Sequence, residues 1–95
     1  MKVEFAQSAR KHKVGRTRVL AVIEDPTVVL ELPAPPGGDE RLVFLGEDAS
    51  GRVLEVMAVR ITDGLLVIHA MDIRPKWRAV YEEGRDDQAD EQETR

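Results

Sequence analysis

Arg60 and His69 stand in the most apolar stretch of the chain, RVLEVMAVRITDGLLVIHAMDI over residues 52–73. Imidazole is the usual proton carrier near neutral pH, and a guanidinium is a permanent cation suited to charge that builds on an oxyanion. The stretch reads as two strands joined at Asp63-Gly64, a dipeptide that favours a two-residue hairpin loop. In that register Thr62 faces Leu65, Arg60 faces Val67, Ala58 faces His69 and Val56 faces Met71. Side chains alternate across a strand. Leu54, Val56, Ala58, Arg60, Leu65, Val67, His69 and Met71 are therefore expected to share one face, a cation and an imidazole on an apolar floor. Val53, Met57, Val59, Ile61, Leu66, Ile68 and Ala70 form the other face, interrupted by Glu55, and belong against a core. Arg74, Lys76 and Arg78 follow the second strand and are placed to rim the first face; Tyr81 offers a proton or a ring to stack on. The plainer alternative is that Arg60 reaches a neighbouring acid and His69 fills a gap.

Other chemistries find little support. The two histidines, His12 and His69, make no metal-binding motif, and without cysteine there is no thiolate nucleophile or cysteine zinc site. Gly37-Gly38 lies in a proline loop and precedes no helix, so no phosphate-cradling glycine loop is present. No metal and no cofactor are expected.

Charge is segregated along the 95 residues. From Glu82 to Arg95 seven acids face two arginines, so residues 1–81 carry +1 although the whole chain carries −4. No acid occurs between Phe5 and Ile23, where Arg10, Lys11, Lys13, Arg16 and Arg18 form a basic patch fit for phosphate or an acidic protein. The same cations would also suit a solvated helix face. The N-terminus lacks the apolar stretch of a signal peptide, and the apolar runs are too short to cross a bilayer, so a cytoplasmic location with no membrane partner is expected.

The elements that must position these groups follow from the pattern. Residues 3–5 alternate as a short first strand. Ser8 suits an N-cap for a helical turn over 9–13, and Gly15 breaks the chain. Val19, Leu20, Val22 and Ile23 form the stripe of a helix over 16–25, ended by Asp25-Pro26. Cations at that helix's N-terminus oppose its dipole and call for another reason, a ligand being one. Strands follow over 27–32 and 41–46, separated by a loop at 33–38. After the hairpin, Pro75 opens a helix over 75–83 that turns Trp77, Val80 and Tyr81 inward, Gly84 closes it, and residues 85–95 read as a disordered acidic tail. Helices covering one face of an antiparallel sheet define an α+β domain over residues 1–84, with the opposite face left as a groove.

Several short motifs in this order resemble the BrnT-like toxins of the RelE/ParE superfamily: Arg10-Lys11-His12, Glu24-Asp25-Pro26, and Ile68-His69-Ala70-Met71 leading to Arg78-Ala79-Val80-Tyr81-Glu82. The resemblance covers roughly residues 3–83. It implies a RelE-like α+β fold, with two N-terminal helices on an antiparallel sheet centred on the 52–73 hairpin and a short C-terminal helix. It also implies a type II toxin, a metal-free ribonuclease held silent by a cognate antitoxin, with RNA, free or at the ribosome, as the other partner. Cleaving RNA without metal requires a base for the 2′-hydroxyl, cations for the phosphorane and an acid for the leaving 5′ oxygen. In this setting His69, Arg60, Arg78 and Tyr81 are the catalytic candidates. Arg10, Lys11, Lys13, Arg16, Arg18, Arg74 and Lys76 are the candidates for RNA or antitoxin contacts. The chain departs from the family at Met71, where an arginine is usual. Either its role passes to His69, Arg60 or Arg74, or the protein is a poor nuclease. A non-catalytic RelE/ParE-fold protein, inhibiting a cellular target or only binding its antitoxin, is the alternative.

Overall fold

The computed structural model describes the backbone of residues 1–93 and the side chains of residues 1–88. Strand β1 (Lys2–Phe5) leads through a 3₁₀ turn at Gln7–Arg10 to helix α1 (Arg16–Glu24). Strands β2 (Val28–Leu32), β3 (Arg41–Glu47), β4 (Val53–Ile61) and β5 (Gly64–Asp72) follow, then helix α2 (Pro75–Glu93). The five strands form one sheet in the order β1-β5-β4-β3-β2, so the hairpin β4–β5 occupies its middle. β2 to β5 run antiparallel, but β1 pairs parallel with β5, and the sheet is mixed where an antiparallel one is expected. The architecture is α+β. Among the described residues no helix is long and apolar enough to cross a membrane.

The first of the two expected N-terminal helices reduces to the 3₁₀ turn. Ser8 does not cap it; the cap position is Ala6, and Ser8 Oγ instead donates 2.7 Å to the carbonyl of Ile68 on β5. α1 forms as the stripe requires, with Val19, Val22 and Ile23 buried, and it stops before Pro26, which disfavours helical geometry in the residue preceding it.

Two apolar clusters lie on opposite faces of the sheet. Val19, Val22 and Ile23 of α1 pack with Leu42, Phe44, Leu54, Val56, Ala58, Leu65, Val67 and Ala70. On the other side Val43 and Leu45 meet Tyr81, with Val28, Leu30, Val53, Met57, Ile73, Trp77 and Val80 around them. This reverses the expected faces of the hairpin. The face carrying Leu54, Val56 and Ala58, where the open groove is expected, lies sealed under α1. Val59, Ile61, Leu66 and Ile68, expected beneath the helices, are half-buried and belong to neither cluster. Alternation separates two faces of a strand but does not say which one a helix will cover when both are apolar.

The register also differs. Ile61 pairs with Gly64, so the loop is Thr62-Asp63, with Asp63 in the left-handed region at φ 64°. Further along, Ala58 pairs with Val67 but Met57 with His69, which leaves Ile68 as an extra residue in β5. Such a bulge shifts the phase of every side chain beyond it.

α2 does not end at Gly84. It continues to Glu93, across most of the segment expected to be disordered, while residues 94 and 95 lie outside the described residues. Gly84 is explained by proximity, not termination. A Cβ at this position would overlap Cγ2 of Val28 on β2. Alanine is favoured over glycine in a helix interior by about 1 kcal/mol, yet Gly84→Ala is expected to lower the melting temperature. Combining it with Val28→Ala should restore part of that loss, which thermal melts of the two single variants and the double variant would show.

Candidate functional site

Glu55 lies on the central strand, between Leu45 and Met71, with its side chain fully buried. A carboxylate there must be met by donors, since burying it unpaired costs several kcal/mol. Arg74, in the link between β5 and α2, supplies a guanidinium bond from Nε to Oε1 and its backbone N–H to Oε2 at 3.3 Å. His69 Nε2 lies 3.0 Å from Oε1. A carboxylate only accepts, so Nε2 carries the hydrogen, and in the neutral ring Nδ1 is the acceptor. The His69 side chain keeps 22% of its surface open to solvent.

His12 comes to the same place. The backbone N–H of Ala6 bonds the Val67 carbonyl and Ser8 Oγ bonds that of Ile68, clamping the chain after β1 along the edge of β5. The exposed His12 ring then stands edge-to-face to His69, with centroids 5.8 Å apart and planes at 75°. Arg10, Lys11 and Lys13 flank it, all exposed, and Lys13 turns the chain in the left-handed region at φ 58°. The arrangement is an open surface: an imidazole oriented by a buried acid, a second imidazole against it, and cations alongside.

The remaining candidates do not assemble here. The bulge in β5 parts Arg60 from His69: Arg60 pairs with Leu65, on the α1 side of the sheet, three rungs away. It reaches Glu31 at 3.2 Å, as the plainer reading expected. Tyr81 is 1% exposed in the cluster beneath α2, and its hydroxyl donates to Glu47 at 3.4 Å. Burial, and then the charge of Glu47, push its pKa up from the ordinary value. Arg78 is exposed on α2, and Lys76 lies over the Trp77 ring at 5.1 Å. Arg16 stacks on Phe5 at 4.6 Å, and Arg18 bonds Asp48 at 2.6 Å. The cations opening α1 therefore have partners within the protein and need no ligand to justify them.

No family model matches this sequence, nor does any curated protein or solved structure. Among the described residues no three His, Cys, Asp or Glu side chains are grouped to hold a metal ion. A cleft of about 380 Å³ is lined by Asp25, Thr27, Glu47, Asp48, Tyr81, Arg85 and Gln88. Three carboxylates against one guanidinium make it a poor receptor for phosphate. A smaller one of about 260 Å³ lies at Asp39, Glu40 and Arg60. Neither contains the imidazole pair.

Glu55 and His12 were not among the residues singled out from the sequence. Glu55 did leave a signal, because a lone acid on an apolar strand face needs a buried cation. His12 stands in the Arg10-Lys11-His12 motif, but nothing local places it beside His69, since the edge clamp that carries it there is tertiary.

A second polar cluster serves the fold. Asp48 Oδ1 accepts from the Ser50 backbone at 2.8 Å, Ser50 Oγ at 2.6 Å and the Arg52 backbone at 3.0 Å, while Oδ2 takes Arg18. The bonds from Ser50 and Arg18 hold its carboxyl well below the usual carboxylate range, outweighing burial. A carboxyl with a depressed folded pKa contributes stability that is complete above its ordinary value, 3.8 here, and is lost as pH falls below it. Asp48→Asn should therefore be less stable than the parent near neutrality, with the gap closing on acidification. Melting both proteins across the acid range checks this.

Proposed function

We propose that this protein is a BrnT-like toxin of the RelE/ParE superfamily, acting as a metal-independent ribonuclease under the control of an antitoxin. The observation that carries the reading is the His69–Glu55 pair. A partly exposed imidazole, held in one orientation by a buried carboxylate, leaves Nδ1 of the neutral ring to accept a proton from a 2′-hydroxyl. Arg10, Lys11 and Lys13 lie beside it to draw in and hold the phosphate backbone. Arg74, three residues beyond Met71 and bonded to the same carboxylate, takes the place of the family's arginine in this reading, and Arg60 has no part in the chemistry. The α+β fold, with α1 packed on one face of the sheet, is compatible with the proposal. The second reading, a non-catalytic RelE/ParE-fold protein, is favoured by one feature, Met71 where the family carries a cation.

Induced expression should arrest growth. RNA incubated with the protein in EDTA, or offered on ribosomes in a translating lysate, should be cut. His69→Gln, folded as judged by circular dichroism, should lose roughly 10²–10⁴-fold in rate, the usual worth of a positioned acid or base. Arg60→Ala should cut at the parental rate. RNA left intact in both settings would remove the ribonuclease reading and leave the binding one.

A further inference from the structure

We infer that His12 is the second catalytic residue of this site, the acid that protonates the leaving 5′ oxygen. This rests on the ribonuclease reading above and adds to it the group that reading lacks. Of the two imidazoles only His69 meets Glu55, so they are inequivalent. His69 has Nε2 committed to the carboxylate and Nδ1 open to accept, while His12 stands exposed among Arg10, Lys11 and Lys13 with its ring edge-to-face to the first. Among the described residues, the other charges joined to the pair are Glu55 and Arg74, bonded to each other; on the neighbouring strand Glu4 is occupied by Lys2 at 3.1 Å. Tyr81, the other proton donor considered, is sealed beneath α2.

The step balances with these two groups alone. His69 Nδ1 takes the proton of the 2′-hydroxyl as its oxygen forms a bond to phosphorus. The bond from phosphorus to the 5′ oxygen breaks, its electron pair stays on that oxygen, and the His12 imidazolium delivers a proton to it. The products are a 2′,3′-cyclic phosphate and a 5′-hydroxyl end. One proton has moved onto His69 and one off His12, and exchange with water resets both. Arg74 and Glu55 are positioning residues in this scheme, acting through His69.

Full-length protein, His12→Gln and His69→Gln are compared on ordinary RNA and on the same RNA with a 5′-bridging sulfur at the scissile link, whose thiolate departs without needing a proton. On ordinary RNA each variant should lose about 10²–10⁴-fold. The sulfur substrate should restore most of the rate of His12→Gln and little of that of His69→Gln. The pH–rate profile should lose its alkaline limb in His12→Gln and its acid limb in His69→Gln. His12→Gln cutting ordinary RNA at the parental rate would overturn the assignment while the ribonuclease reading stands. An equal loss on both substrates would do the same, since it would mark His12 as a binding or packing residue. A parental protein that cuts neither substrate, free or on ribosomes, would remove both.

Discussion

Val56→Asp should unfold the protein, whereas Val59→Asp, three residues along the same strand, should leave it folded. Val56 has no exposed surface and packs between β3 and β5 under α1, in one cluster with Val22, Phe44 and Ala70. A carboxylate placed there meets only apolar side chains, and the penalty is roughly 4–5 kcal/mol. A small domain has about 5 kcal/mol to lose, near the low end of native stability. Val59 is half-buried and outside both clusters, so an aspartate there can turn its carboxylate to water. Far-ultraviolet dichroism and urea titration of both variants decide the matter. A cooperative transition for Val56→Asp together with collapse of Val59→Asp would mean that α1 covers the other face.

Gly64→Ala should release β1 from the sheet. An Asp-Gly hairpin loop would put this glycine in the left-handed region, yet the positive φ belongs to Asp63 and Gly64 is not in that region. Its reason is steric. Gly64 pairs with Lys2 at the start of the parallel ladder, and a Cβ would overlap the Lys2 carbonyl oxygen. That oxygen is backbone and cannot swing aside, so β1 must move, loosening Val3 and Phe5, which pack at the margin of the α1-side core. The expected loss is about 2–3 kcal/mol, in the range of overpacked sites. Two controls separate the causes. Gly64→Asn would be well tolerated if a left-handed turn were the reason, because asparagine enters that region readily; here it should fare no better than alanine. In a chain lacking residues 1–5, Gly64→Ala should cost little. Because β1 leads into the segment that carries His12, Gly64→Ala should also weaken the His12–His69 contact, which the ring proton shifts of the two histidines would report.

The strands and α1 could be read from the sequence because each rests on local chemistry. Val19, Val22 and Ile23 repeat at helical spacing, Pro26 stops the helix, and the prolines and glycines at 33–38 allow neither helix nor ladder. The pairing of β4 with β5 followed from two β-rich runs around a turn dipeptide, although the loop lies one residue earlier than Asp-Gly implied. Where α2 ends was not legible, because Gly84 looks the same as a terminator and as a site of close approach to Val28.

The site depended on contacts that no local pattern contains. Ile68 adds one residue to β5, which moves His69 away from Arg60 and onto Glu55, and nothing in VIHAM marks where the extra residue falls. Glu55 appeared as a flaw in an apolar face until Arg74, nineteen positions on, was placed against it. His12 and His69 are 57 positions apart, and they meet because β1 pairs parallel with β5 and Ser8 fastens the following turn to its edge. Side-chain types and spacing determine which segments become strands and helices, since those choices rest on neighbours a few residues away. Which face is sealed, which acid meets which imidazole, and which glycine touches backbone are set by packing between distant segments, and only the assembled sheet decided them.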